Sequence, residues 1–159
     1  MRLDLNEKGL TTLEGIDLTG VTILRCFGNR LTSLSELPST LEELWCHSNE
    51  LTSLPELPST LKTLYCFKNH LTSLPNLPPN LRILDCTYNQ LTFIPELPSK
   101  LTELWCHSNP LTCLPDLPYN FEWLQCNDLN ITCEFMKLKQ HNEKRKKLGL
   151  DILFYASRQ

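Results

Sequence analysis

At 159 residues with 15 Lys/Arg against 18 Asp/Glu, the chain is long enough for one domain with a sizeable core and carries a formal charge of −3. The small net charge hides a division: residues 1–133 hold eight Lys/Arg against fifteen Asp/Glu, whereas 134–159 hold seven against three. No apolar run approaches membrane length and Met1-Arg2-Leu3-Asp4 does not read as a signal peptide, so no membrane partner and an intracellular, reducing setting are expected: the cytoplasm, a host cell's included.

The first twenty residues make sense only beside the rest of the chain. From Val21 the sequence repeats every twenty residues: VTILRCFGN at Val21, LEELWCHSN at Leu41, LKTLYCFKN at Leu61, LRILDCTYN at Leu81 and LTELWCHSN at Leu101. A second half succeeds each, LTSLPELPST in its cleanest form at Leu51–Thr60. Self-similarity at a short fixed period is the signature of a stacked solenoid. Against that pattern residues 1–20 read as an amino-terminal capping repeat. Leu3 and Leu5 form its inward strand pair and Leu10, Leu13 and Ile16 its return, one residue out of register and without prolines or a strand cysteine.

Residues 21–133 are the repeats proper, five full units and a degenerate sixth. Numbering Leu41 as position one, Leu44 and Cys46 alternate with Glu43, Trp45 and His47, so a short strand buries the first pair and turns the other three outward. Leu51, Leu54 and Leu57 point inward from the return path. Pro55 and Pro58 disfavour helix there and predict an extended, polyproline-II-like course. Position nine is asparagine in all five full units (Asn29, Asn49, Asn69, Asn89, Asn109), which predicts a ladder of amides satisfying backbone groups where the chain leaves each strand. Six of the eight cysteines (Cys26, Cys46, Cys66, Cys86, Cys106, Cys126) share position six and read as small apolar fillers, with pairing between adjacent rungs as the alternative. The unit at 121–133 starts as FEWLQC and then loses the pattern.

Residues 134–159 change character. Phe135, Met136 and Leu138 are spaced roughly as one helical face, and Gly149 is placed as a stop, which predicts a capping helix over the last strand. The row Ile152, Leu153, Phe154, Tyr155 fits either a segment folded back onto that cap or an apolar contact with another chain.

The motif L-x-x-L-x-C-x-x-N-x-L with its trailing L-P-x-L-P resembles the leucine-rich repeats of the short, twenty-residue class, similar to those of bacterial effector proteins and large DNA viruses. The resemblance covers about Leu3 to Thr132. It implies a solenoid with a parallel sheet on the concave face and a recognition role. Bacterial effectors with such repeats often join them to a ubiquitin-ligase domain bearing a nucleophilic cysteine. This sequence departs from that arrangement, since little more than the helix comes after the repeats.

Chemistry is sparse. There is no Gly-rich phosphate loop, HExxH, nucleophile-elbow serine or zinc-type CxxC, and no cofactor or metal is expected. In Cys46-His47 and Cys106-His107 the neighbours point to opposite faces of a strand and do not share one ion. Cys113 and Cys133, at position thirteen of adjacent units, are the cysteines worth testing for reactivity or pairing. The outward strand positions instead form one face carrying all three tryptophans, and Trp45, His47, Tyr65, Phe67, Asp85, Trp105, His107 and Trp123 are the expected partner-binding residues. The expected function is a non-catalytic protein-interaction module. A self-associating homodimer is the alternative. Nucleic acid is disfavoured, because Glu43, Asp85 and Glu103 face only Arg25 there.

Overall fold

The computed structural model describes residues 1–126, together with Asn142, Glu143 and Lys146 in helical conformation. Seven short strands, β1 (Arg2–Asp4), β2 (Ile23–Arg25), β3 (Glu43–Trp45), β4 (Thr63–Tyr65), β5 (Ile83–Asp85), β6 (Glu103–Trp105) and β7 (Trp123–Gln125), form one parallel sheet in chain order. From β2 onward neighbours pair at the repeat length, Leu24 opposite Leu44 and Leu44 opposite Leu64. β1 pairs one residue further back, Leu3 opposite Leu24. The offset expected from the sequence persists through Glu7, which holds the left-handed conformation that Gly28 holds one turn later, and is absorbed between Leu10 and Leu18. Their amides donate alike, Glu7 to the carbonyl of Phe27 and Gly28 to that of His47.

Each strand alternates as the pattern demands: Leu44 is fully buried between half-buried Glu43 and Trp45. Among the described residues the return halves contain neither helix nor strand. Each closes in a tight turn in which the amide of position one bonds the carbonyl three residues before it, Leu18 in the first and a proline in the others, as in Leu61 N to Pro58 O at 3.0 Å. Hydroxyls knit these turns together, Thr40 Oγ1 donating to Val21 O at 2.8 Å and Thr60 Oγ1 to Leu41 O at 2.7 Å.

The core is a column. Leu41, Leu44, Cys46, Leu51, Leu54 and Leu57 are buried, and among the described residues the same positions are buried in the later turns except Leu77 and Leu117, which are half-buried. A fully buried leucine contributes about 1.5–3 kcal/mol relative to an exposed one, and one turn alone encloses none of its own leucines. The first turn is less closed: Leu5 and Leu13 are buried, while Leu3, Leu10 and Ile16, expected to point inward, are half-buried. Only one strand flanks them.

The asparagine ladder forms. Asn49 Oδ1 accepts from Leu31 N at 3.0 Å while its Nδ2 donates to the carbonyls of Cys26 and Cys46 at 3.0 and 3.1 Å, and Asn69, Asn89 and Asn109 repeat the arrangement. The six position-six cysteines are buried and none is in a disulfide, so the filler reading holds and pairing between rungs does not. Burial pushes the Cys26 thiol up to about 12 and those of Cys46 and Cys66 well above their ordinary value. Asn127, the degenerate stretch to Thr132, Cys133, the helix expected from Glu134 apart from Asn142, Glu143 and Lys146, and the apolar row 152–155 lie outside the described residues.

Candidate functional site on the outer face of the sheet

Position five of successive strands places Arg25, Trp45, Tyr65, Asp85, Trp105 and Gln125 in one column; position seven places Phe27, His47, Phe67, Thr87 and His107 in a second. In-register strands about 4.8 Å apart hold side chains of one column close enough to stack. At the amino-terminal end they do. The Arg25 guanidinium carbon lies 4.5 Å from the centre of the Trp45 ring, and Tyr65 meets the same ring at 4.5 Å, tilted by 46°. The Trp45 indole N–H donates to Glu43 Oε2 at 3.2 Å.

Beside them the His47 ring is sandwiched between Phe27 at 4.4 Å and Phe67 at 4.1 Å, within 12° of parallel on both sides. Burial, with the Lys68 ammonium nearby, lowers the His47 pKa to about 4, so the imidazole is neutral near pH 7. Here it is an aromatic surface.

Repeats of this kind have a known counterpart. Residues 59–98 and 79–119 match leucine-rich repeats, two copies. No curated protein matches the sequence. Among solved structures, YopM from Yersinia enterocolitica is 37% identical over 76% of this chain with a TM-score of 0.73, and the leucine-rich effector protein YopM from Yersinia pestis is 33% identical over 80% with a TM-score of 0.72. A Shigella effector LRR domain is 38% identical over 73% with a TM-score of 0.70. The chain is a leucine-rich repeat solenoid. It spans 27%, 44% and 53% of the lengths of those three chains.

Across the middle of the solenoid's outer face the columns change. Asp85 and Thr87 are short, and Asp85 Oδ1 accepts from the Thr87 amide at 3.1 Å and its hydroxyl at 2.8 Å. Burial raises the Asp85 pKa, opposed by those two bonds and by His107. The Tyr65 phenol is likewise raised, by burial first and then by Glu103, Asp85 and Glu43. The fields of three carboxylates thus bear on one hydroxyl. His107 meets Tyr88 edge-on at 5.5 Å, and its Nδ1 is buried without a hydrogen-bond partner.

All eight expected site residues stand on this one face, yet in different states. Trp45, His47, Tyr65, Phe67, Asp85, Trp105 and His107 are half-buried, and Trp123, on the last described strand, is 48% exposed. The first four belong to the stacked array, and Asp85, Trp105 and His107 to the acidic middle. Cys46 and Cys106 are buried beneath their neighbouring histidines, on the opposite side of the sheet. Among the described residues no group of three or more His, Cys, Asp or Glu is arranged to hold a metal ion, and no helix is long and apolar enough to cross a membrane.

Two features escape the repeat pattern. Arg25 is the outermost member of the stacked column, which only its register opposite Trp45 reveals. An open groove of about 690 Å³ runs along the proline side between Glu36, Leu57 and Pro78, where successive LPxLP segments leave a furrow.

Proposed function

We propose that this solenoid is a non-catalytic interaction module that holds a partner protein on the outer, aromatic face of its sheet. The observation that carries the reading is the double stack Arg25–Trp45–Tyr65 and Phe27–His47–Phe67, two ring columns side by side and only half-buried. Rings locked against each other have little rotamer freedom left to lose on binding, so their contact area converts to affinity with a small entropic cost. Aromatic and arginine side chains dominate binding hot spots. The likeness to effector structures from Yersinia and Shigella favours a bacterial or viral factor acting on a host protein.

Affinity capture from host-cell extract with the unmodified chain, Trp45→Ala and Tyr65→Ala tests this reading. A partner retained by the unmodified chain and lost with both substitutions is the expected outcome, each substitution weakening binding by about 2 kcal/mol or more. Retention unchanged by both would remove the proposal, provided circular dichroism shows both variants folded.

A further inference from the structure

Two turns of the solenoid carry the same sequence, ELWCHSN, at 43–49 and 103–109, yet their side chains end in different states. On the first, Trp45 donates to Glu43, has a guanidinium on one side and Tyr65 on the other, and His47 Nδ1 meets Ser48 Oγ at 3.3 Å between two phenyl rings. On the second, among the described residues, no donor reaches the Glu103 carboxylate, no ring or guanidinium covers Trp105, and His107 Nδ1 is unpaired. The neighbours make the difference. Trp45 lies between Arg25 and Tyr65, whereas Trp105 lies between Asp85 and Gln125. Where the first copy has a cation beside its indole, the second has a carboxylate.

The strand before Trp105 is also low. Asp85 and Thr87 stand between Tyr65 and Phe67 on one side and Trp105 and His107 on the other. Flanking side chains two strand spacings apart, about 10 Å centre to centre, leave a notch of about 6 Å between ring faces above the buried Thr87, room for one planar group. At its floor Thr87 holds Asp85 by Oδ1 alone, leaving Oδ2 open among the described residues. Glu103 stands at its edge and shares with Asp85 and Glu43 the field that bears on Tyr65. No ion pair among the described residues neutralises Asp85 or Glu103.

We propose that this notch receives the guanidinium group of an arginine on the partner protein, lying over Trp105 with its donors shared between Asp85 and Glu103. The proposal rests on the interaction reading above and specifies its chemistry. Charge complementarity selects a cation, and the flat gap between rings selects a planar one: a guanidinium stacks on an indole and divides its five donors between two carboxylates, which a lysine ammonium does not. Arg25 over Trp45 shows the same stack within the chain.

The probe is N-acetyl-arginine amide, titrated into the full chain while the indole N–H resonances of Trp45, Trp105 and Trp123 are followed by NMR. A saturable shift at Trp105, at least tenfold weaker binding in Asp85→Asn, and little response to N-acetyl-lysine amide are expected. Asparagine keeps the oxygen that Thr87 bonds, and an unmoved Trp45 resonance verifies that the variant is folded. No shift at Trp105, an equal response to the lysine amide, or undiminished binding in Asp85→Asn would overturn the proposal. A basic residue of segment 134–159 already seated in the notch would give the first of these results. Failure of the probe while Trp45-dependent capture persists removes the notch alone. Failed capture with the probe still bound at Trp105 removes the interaction reading instead.

Discussion

The side-chain amide of Asn69 donates to the carbonyl of Cys46, on the preceding turn, at 3.1 Å. The same nitrogen bonds Cys66 O at 3.0 Å, and Asn69 Oδ1 accepts from Leu51 N at 3.0 Å, so one amide ties two turns of the solenoid together inside the core. Asn69→Ala leaves the buried Leu51 amide with no partner and halves the bonds on two buried carbonyls. A loss of about 3 kcal/mol is expected, from one orphaned donor plus weakened acceptors, measured by urea denaturation. Asn69→Asp keeps the acceptor and loses the donor, so it should be no better than alanine. Little change in either variant would show that water satisfies these groups.

The thiol column gives a kinetic prediction. Cys26, Cys46, Cys66, Cys86, Cys106 and Cys126 are buried and Cys113 is exposed. Only a thiolate reacts quickly, and burial holds the thiols of Cys26, Cys46, Cys66 and Cys86 protonated, while Cys106 and Cys126 are shielded by their burial. With Cys133 replaced by Ser, one thiol should modify rapidly in the native protein and six only on denaturation. Cys66→Ala should cost about 1 kcal/mol through the small cavity left in the column.

The repeat was legible because its period is strict and its inward positions are almost all Leu or Cys. Two aspects were hidden. The backbone at position eight is left-handed in every full turn, φ being 54° at Ser48, 52° at Lys68, 52° at Tyr88 and 56° at Ser108, but only Gly28 announces it by residue type. Side chains on the outer face depend on pairs from different turns. A twenty-residue alignment shows Trp45 and Trp105 as equivalent, and only their cross-strand neighbours, Arg25 and Tyr65 against Asp85 and Gln125, set them apart.

That left-handed position supplies the next expectation. Lys68 pays a steric penalty that glycine does not, so Lys68→Gly should stabilise by about 0.5–1 kcal/mol, while a β-branched Lys68→Val should destabilise by more than about 1 kcal/mol. Thermal melts of the two variants check the sign of both. Equal melting temperatures would mean that the turn relaxes to another conformation when the side chain changes.

The neutral imidazole between Phe27 and Phe67 makes the fold sensitive to acid. In the folded chain His47 titrates at about 4, against about 6.5 in an unfolded one, because burial and then Lys68 disfavour its charged form. Between those values the unfolded state binds the extra proton, so the stability that depends on His47 is fully present above pH 6.5 and is lost as pH falls toward 4. His47→Phe preserves a three-ring stack and removes the titration. Its melting temperature should therefore fall less than that of the unmodified chain between pH 7 and pH 4.5, and Lys68→Gly, by withdrawing a neighbouring positive charge, should lessen the slope in the same direction. Parallel pH profiles for the unmodified chain and His47→Phe would place the acid sensitivity in the carboxylates instead.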